Sequence, residues 1–213
     1  MADTSIFFKQ LPIGQMGNYC YLLGDKNTKE LVVVDPGWNA KKIKKEIADS
    51  GLKLAAVLLT HGHFDHVGAI DDLIKDTDTP LHFSFKDAFM FSSSAKNKID
   101  LENGNTLNIG ELEIKCIHTP GHSPGGFCFI VGDILLTGDT LFIGACGRCD
   151  LPGSDPGVMY DSLYNKIKGL PGSLEVFPGH SYSMPSDSLT NQNRVNPYLT
   201  ASSKENFLAT RMS

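Results

Sequence analysis

The chain has 213 residues, 41% of them apolar and 20% charged, with 19 basic against 24 acidic side chains and a formal charge of −5. That length carries one domain with a sizeable core, and the acidic balance argues against a nucleic-acid partner, whose binders present a basic face. The opening MADTSIFFKQ lacks a basic region followed by an apolar run, no stretch is apolar for long enough to span a bilayer, and the cysteine count of 5 is odd, so we expect no secretory signal, no membrane partner, no disulfide framework and a cytoplasmic location.

Residues 6–9, 19–24 and 31–35 read as strands separated by glycine-containing turns. The basic cluster at 41–45, interleaved with Ile43 and Ile47, reads as the solvated face of an amphipathic helix. Asn39 caps that helix and Gly51 ends it. Residues 54–59 are a continuous apolar run, as in a strand buried on both faces. A helix over 68–76 and a strand over 81–84 follow; His82, alone in that strand pattern, reads as structural. The second half gives strands at 107–109, 112–117, 126–131 and 134–136, with Cys116 and Cys128, like Cys20 earlier, in core positions. A helix over 155–169 has Asp155 as cap and Pro156 at its first position. A strand at 174–177 and a polar, mostly helical tail over 186–213 complete the chain. No linker divides 1–213, which we read as a single domain with 186–213 packed on it. VLLTHG at 57–62 and ILLTGD at 134–139 echo each other, each an apolar strand running into Thr and then a candidate ligand. Two sheets face to face with helices outside is the architecture these elements imply.

The stretch THGHFDH at 60–66 places His61, His63, Asp65 and His66 within six positions of a chain that has 7 histidines in all. The spacing is neither helical nor alternating, so we expect irregular backbone there, with Phe64 as a packing residue. His122 in TPGHSPGG, Asp139 in TGDTLF and His180 in FPGHSY each follow an expected strand, where sites on a rigid scaffold are built. Gly121 and Gly179 precede ligands and allow close backbone approach. Imidazole with carboxylate suits zinc, iron or manganese rather than calcium or magnesium. This set is too large for one tetrahedral ion and suits two ions about 3.5–4 Å apart, which lower the pKa of a water from about 15.7 toward about 7.

His-x-His-x-Asp-His followed by a lone His, a lone Asp and a last His resembles the metallo-β-lactamase superfamily over nearly the whole chain, including VVVDPG at 32–37. The resemblance implies an α/β (α+β) fold, a four-layer αββα sandwich of two mixed β-sheets with helices on the outer faces. It implies two divalent cations, zinc first, with iron or manganese as alternatives. His61, His63 and His122 would hold one, and Asp65, His66 and His180 the other. Asp139 would bridge, with Asp65 and Asp139 the catalytic carboxylates and Asp35 orienting ligands.

TGDTLFIGACGR at 137–148 is similar to the glyoxalase II (hydroxyacylglutathione hydrolase) branch, with Ala145 as a departure. That similarity implies hydrolysis of a small-molecule thioester, such as one of glutathione, by hydroxide generated at the metal. The stretch after His180 is too short for the added helical domain of full-length glyoxalase II, which implies a compact variant. FPGHSY and NPYLTASSKENF also resemble the persulfide dioxygenase branch, in which His61, His122 and Asp139 would hold a single iron. A metallo-hydrolase acting on another ester or amide is a further alternative.

Arg148 is a candidate for pairing with a substrate carboxylate, with a structural salt bridge as the competing reading, and Tyr182 is a candidate pocket residue. His118 reads either as an orienting neighbour of His122 or as an ordinary buried or loop histidine. Cys146 and Cys149 form a C-x-x-C that we read as part of the turn beside the site rather than a redox pair. Oligomeric state has no signature in the sequence.

Overall fold

The computed structural model describes residues 5–211. Its elements, in chain order, are strands β1 (Ile6–Ile13), β2 (Asn18–Asp25) and β3 (Glu30–Val34), helix α1 (Ala40–Ser50), β4 (Lys53–Leu58), one-turn helix α2 (Phe64–Val67), α3 (Ile70–Ile74) and β5 (Leu81–Phe83). A 3-10 turn at Phe85–Asp87 leads to β6 (Lys98–Asp100), β7 (Thr106–Ile109), β8 (Leu112–His118), β9 (Phe127–Val131) and β10 (Ile134–Gly138). The hairpin β11 (Leu141–Phe142) and β12 (Ala145–Cys146) follows, then α4 (Pro156–Ser162), β13 (Glu175–Pro178), β14 (Asp187–Ser188), α5 (Leu189–Val195) and α6 (Lys204–Arg211).

Strands β1 to β6 form one sheet in sequence order, antiparallel at first and parallel from β3 onward. The second sheet runs β14-β13-β10-β9-β8-β7, with β10 and β13 parallel and the rest antiparallel. Both sheets are therefore mixed, and the expected four-layer αββα sandwich is the fold observed.

Alternation along the strands creates three cores. From β2 and β3, Tyr21, Leu23, Val32 and Val34 face the second sheet and meet Phe127, Phe129, Val131 and Leu136. The intervening Cys20, Leu22, Leu31 and Val33 face outward under Ile43 of α1 and Ile70 and Ile74 of α3. On the far side, Cys128, Leu135 and Val176 lie under Met159, Leu163, Leu189 and Phe207. A sheet covered on both faces has no polar face, and each fully buried aliphatic or Phe side chain contributes about 1.5–3 kcal/mol.

Helix α1 spans the expected residues: Asn39 caps it, accepting from Lys42 N, and Gly51 closes it in the left-handed conformation. Two expectations are corrected. The helix expected over 68–76 is shorter, Ile70–Ile74, and starts after Ala69, whose N donates to Pro36 O at 2.8 Å. The helix over 155–169 changes pitch, α4 passing into a π-helical turn at Leu163–Ile167 closed by Lys168 N to Leu163 O. Among the described residues no helix is long and apolar enough to cross a membrane.

Candidate metal centre

The carboxyl ends of β3, β4, β8, β10 and β13 gather at one edge of the sandwich. Asp35 follows β3, His61 and His63 follow β4, His122 lies beyond β8, Asp139 beyond β10, and His180 beyond β13. Parallel strands end at the same level, so residues far apart in sequence arrive together.

One ligand atom from each of His61, His63 and His122 lies within 4.8 Å of the others, and the same holds for Asp65, His66 and His180. His63 Nδ1 is 2.9 Å from His122 Nε2, and His66 Nε2 is 3.3 Å from His180 Nε2. Asp139 lies between the two groups, 3.4 Å from His122 Nε2, 3.5 Å from His66 Nε2 and 3.3 Å from His180 Nε2. All seven expected ligand residues are thus brought together. The expectation of irregular backbone through THGHFDH is corrected in its second half: Asp65 and His66 sit on α2, a single helical turn with His63 as its cap residue.

The outward nitrogens of the imidazoles are tied down. His122 Nδ1 donates to Arg148 O at 2.7 Å, His180 Nδ1 to Met16 O at 3.0 Å, and His66 Nδ1 to Asp35 Oδ2 at 3.0 Å. In its neutral form, a ring that donates from Nδ1 keeps a lone pair on Nε2, turned inward. Asp35 is filled by its partners, accepting from Thr60 N at 2.7 Å, Thr60 Oγ1 at 2.6 Å and His66. Asp35, His61 and His66 form a third close group, in which both oxygens of Asp35 already accept hydrogen bonds. The Asp35 φ of 51° is the left-handed conformation that, outside glycine, is visited chiefly by asparagine and aspartate.

The electrostatics favour a cation. Burial, reinforced by the neighbouring imidazoles, holds His61 well below its ordinary pKa, and burial with His122 lowers His63 to about 4. Burial opposes charge on His66 too, but Asp139, Asp35 and Asp65 outweigh it and raise that ring to about 9. Burial would raise Asp139, yet His66, His180, His61 and His122 hold it well below the usual carboxylate range. His61 Nε2 and Asp139 Oδ1 are buried with no hydrogen-bond partner. An unsatisfied imidazole nitrogen and carboxylate oxygen inside a ring of inward lone pairs fit a divalent metal of the zinc, iron or manganese type.

Gly179 permits the crowding. A Cβ there would stand 2.2 Å from Asp139 Oδ1. Asn18, which no motif marked, is buried and donates to Asp65 Oδ2 at 2.8 Å while accepting from Trp38 Nε1 at 3.1 Å. Its link to Asp65 spans 47 residues and leaves no local pattern in the sequence.

A cleft of about 580 Å³ opens over the centre, walled by Met16, Phe64, Phe142, Leu151, Tyr182 and Tyr198. Phe64, expected as a packing residue, meets Trp38 edge-on while remaining 62% exposed in this wall. The Tyr182 ring stacks on His180 with centroids 4.9 Å apart. Arg148 lines the cleft and makes a bidentate pair with Asp150 at 2.6 Å, so both readings of this residue have a counterpart. Cys146 lines the cleft and Cys149 is buried in the turn beyond it, its Sγ contacting Gly147 O at 3.6 Å. His82 is buried in β5, and His118 Nε2 donates to Pro124 O at 2.9 Å, bracing the His122 loop.

Fold and site together define a sandwich enzyme class that places a histidine–aspartate metal centre at the edge of two packed sheets. The metallo-beta-lactamase superfamily model matches residues 13–180, and the chain belongs to that superfamily. A Bacillus subtilis protein described as probable polyketide biosynthesis zinc-dependent hydrolase PksB is 34% identical over 91% of this chain and 87% of its own. The crystal structure of ETHE1 from Myxococcus xanthus superposes with a TM-score of 0.88 at 28% identity, covering 97% of this chain and 90% of that one. That of TTHA1623 in a di-iron-bound form gives 0.79 at 32% identity, covering 90% and 100%.

Proposed function

We propose that this metal-dependent hydrolase is a dinuclear thioester hydrolase. His61, His63 and His122 would hold one divalent ion, Asp65, His66 and His180 the other, and Asp139 would serve both. The observation that carries this reading is the pair of three-residue groups, each within 4.8 Å, with Asp139 3.3–3.5 Å from imidazoles of both. The di-iron form of the TTHA1623 relative supports two ions, and the description of PksB supports zinc.

Bound metal supplies a water that ionises near neutrality, at a pKa of about 7. The chain's own groups do the rest. The apolar wall of Met16, Phe142 and Leu151 excludes solvent and receives an acyl chain, in keeping with a relative named for polyketide biosynthesis. Arg148 pairs with a carboxylate on the thiol portion, as in a glutathione thioester, and Tyr182 offers its phenol at the rim. Asp65 and Asp139 line the cleft, and either carboxylate would accept a hydrogen bond that orients the attacking water. A thiolate leaves without a proton donor, because thiols ionise near pH 8.5, at about the reference pKa of cysteine. The whole chain acts as one unit, and the buried thiols of Cys20, Cys116 and Cys128 suit a reducing, cytoplasmic setting.

A mononuclear-iron persulfide dioxygenase would use His61, His122 and Asp139 and leave Asp65, His66 and His180, all buried, without a ligand role. Metal content, lactoylglutathione hydrolysis and oxygen uptake with glutathione persulfide separate the two. We expect two ions per chain and thioester turnover, and in His66→Ala the loss of one ion and most turnover. One iron with oxygen uptake, or full hydrolysis by His66→Ala, contradicts the proposal.

A further inference from the structure

Asp87 ends the 3-10 turn after β5, is 1% exposed, and belongs to no motif. Its carboxylate joins two loops. Oδ2 accepts from Gly62 N at 2.9 Å and from Ser123 Oγ at 2.8 Å, and Oδ1 accepts from Gly125 N at 2.6 Å. Gly62 separates His61 from His63, and Ser123 follows His122. The first loop leaves β4 of one sheet and the second connects β8 to β9 of the other.

The fit is tight on both sides. A Cβ on Gly62 would stand 2.8 Å from Asp87 Cβ, and one on Gly125 would stand 2.7 Å from Asp87 Oδ1. A buried carboxylate is tolerated when donors satisfy it, and here Gly62 N, Ser123 Oγ and Gly125 N all belong to metal-centre loops. The two loops come from different sheets, yet they bring His63 Nδ1 to 2.9 Å from His122 Nε2 and one ligand atom of each of the three histidines to within 4.8 Å of the others. A carboxylate bonded to both loops fixes that approach.

We infer that Asp87 is a positioning residue that preassembles the His61–His63–His122 face for its cation. The inference rests on the proposed assignment of those three histidines as ligands to one ion. Asp87 acts through the loop backbones and touches no reacting atom.

Asp87→Asn keeps the shape and removes acceptor capacity. Ser123→Ala removes a single donor. Asp25→Asn is the control: Asp25 is also buried and accepts from Asn27 N, Thr28 Oγ1 and Glu111 N at 2.8–3.0 Å, but at the opposite end of β2 from Asn18. Metal-free full-length proteins are titrated with Zn²⁺ against a chromophoric chelator, and the Co²⁺ absorption spectrum is recorded. In Asp87→Asn one of two sites should weaken by about 10–100-fold, the range for groups that orient ligands, with its Co²⁺ bands altered. Ser123→Ala should weaken the same site less, and Asp25→Asn should keep wild-type affinities at whatever stability it has. Wild-type affinities in both Asp87→Asn and Ser123→Ala overturn the inference while leaving the ligand assignment intact. Wild-type affinities in His122→Ala overturn the assignment and the inference together.

Discussion

Arg148 acts on the cleft through two parts that mutation can separate. Its carbonyl anchors His122 Nδ1 at 2.7 Å, while its guanidinium faces the cleft and Asp150. Arg148→Ala keeps the first and removes the second. Hydrogen bonds to charged groups contribute about 1.5–3 kcal/mol, so KM for an anionic thioester should rise by about tenfold or more, with kcat nearly unchanged. Equal KM values for charged and uncharged thioesters in wild type and variant alike would remove Arg148 from recognition. The same residue shows what a sequence can and cannot disclose. The histidines and aspartates of the centre were legible because such residues, clustered beyond strands, have few structural uses. Asn18, Thr60 and Asp87 were not, because each acts through hydrogen bonds with partners whose identity depends on the finished fold.

At the scale of elements, periodicity was readable wherever a segment was long and covered on a known face. Helix α1 and strands β2, β3, β9 and β10 are of this kind. Strand β6 is exposed at all three residues and β11, β12 and β14 have two residues each, so none carries an apolar pattern. Helix α2 has four residues, too few to display a helical repeat, which is why THGHFDH looked irregular throughout. Helix α1 allows a direct test of its start. Asn39 has φ 54° and its side chain accepts from Lys42 N at 3.1 Å. Asn39→Ala loses the cap and strains the backbone, and should cost about 1–2 kcal/mol in denaturant unfolding. Asn39→Gly tolerates the dihedral and should cost less. The reverse order would show that the left-handed backbone at residue 39 is not what separates the two variants, and wild-type stability in both would show that side-chain capping is not what starts α1.

At the scale of the molecule, the two sheets share the centre unevenly. The first contributes His61, His63, Asp65 and His66, and the second contributes His122, Asp139 and His180. Ions present at about a thousand times their Kd stabilise the native state by about 4 kcal/mol. For a chain of this size about 2–4 °C of Tm accompanies each kcal/mol, so chelation should lower Tm by roughly 10 °C. Unchanged melting after verified metal removal would speak against ligands drawn from both sheets. A centre assembled across the seam between halves also imposes an order of events. Neither half alone supplies the whole set of histidines and aspartates, so under the proposed assignment full loading would follow the docking of one sheet on the other. Under that assignment a newly made or partly opened chain would lack a complete centre, and hydrolytic power would arrive only with the completed architecture.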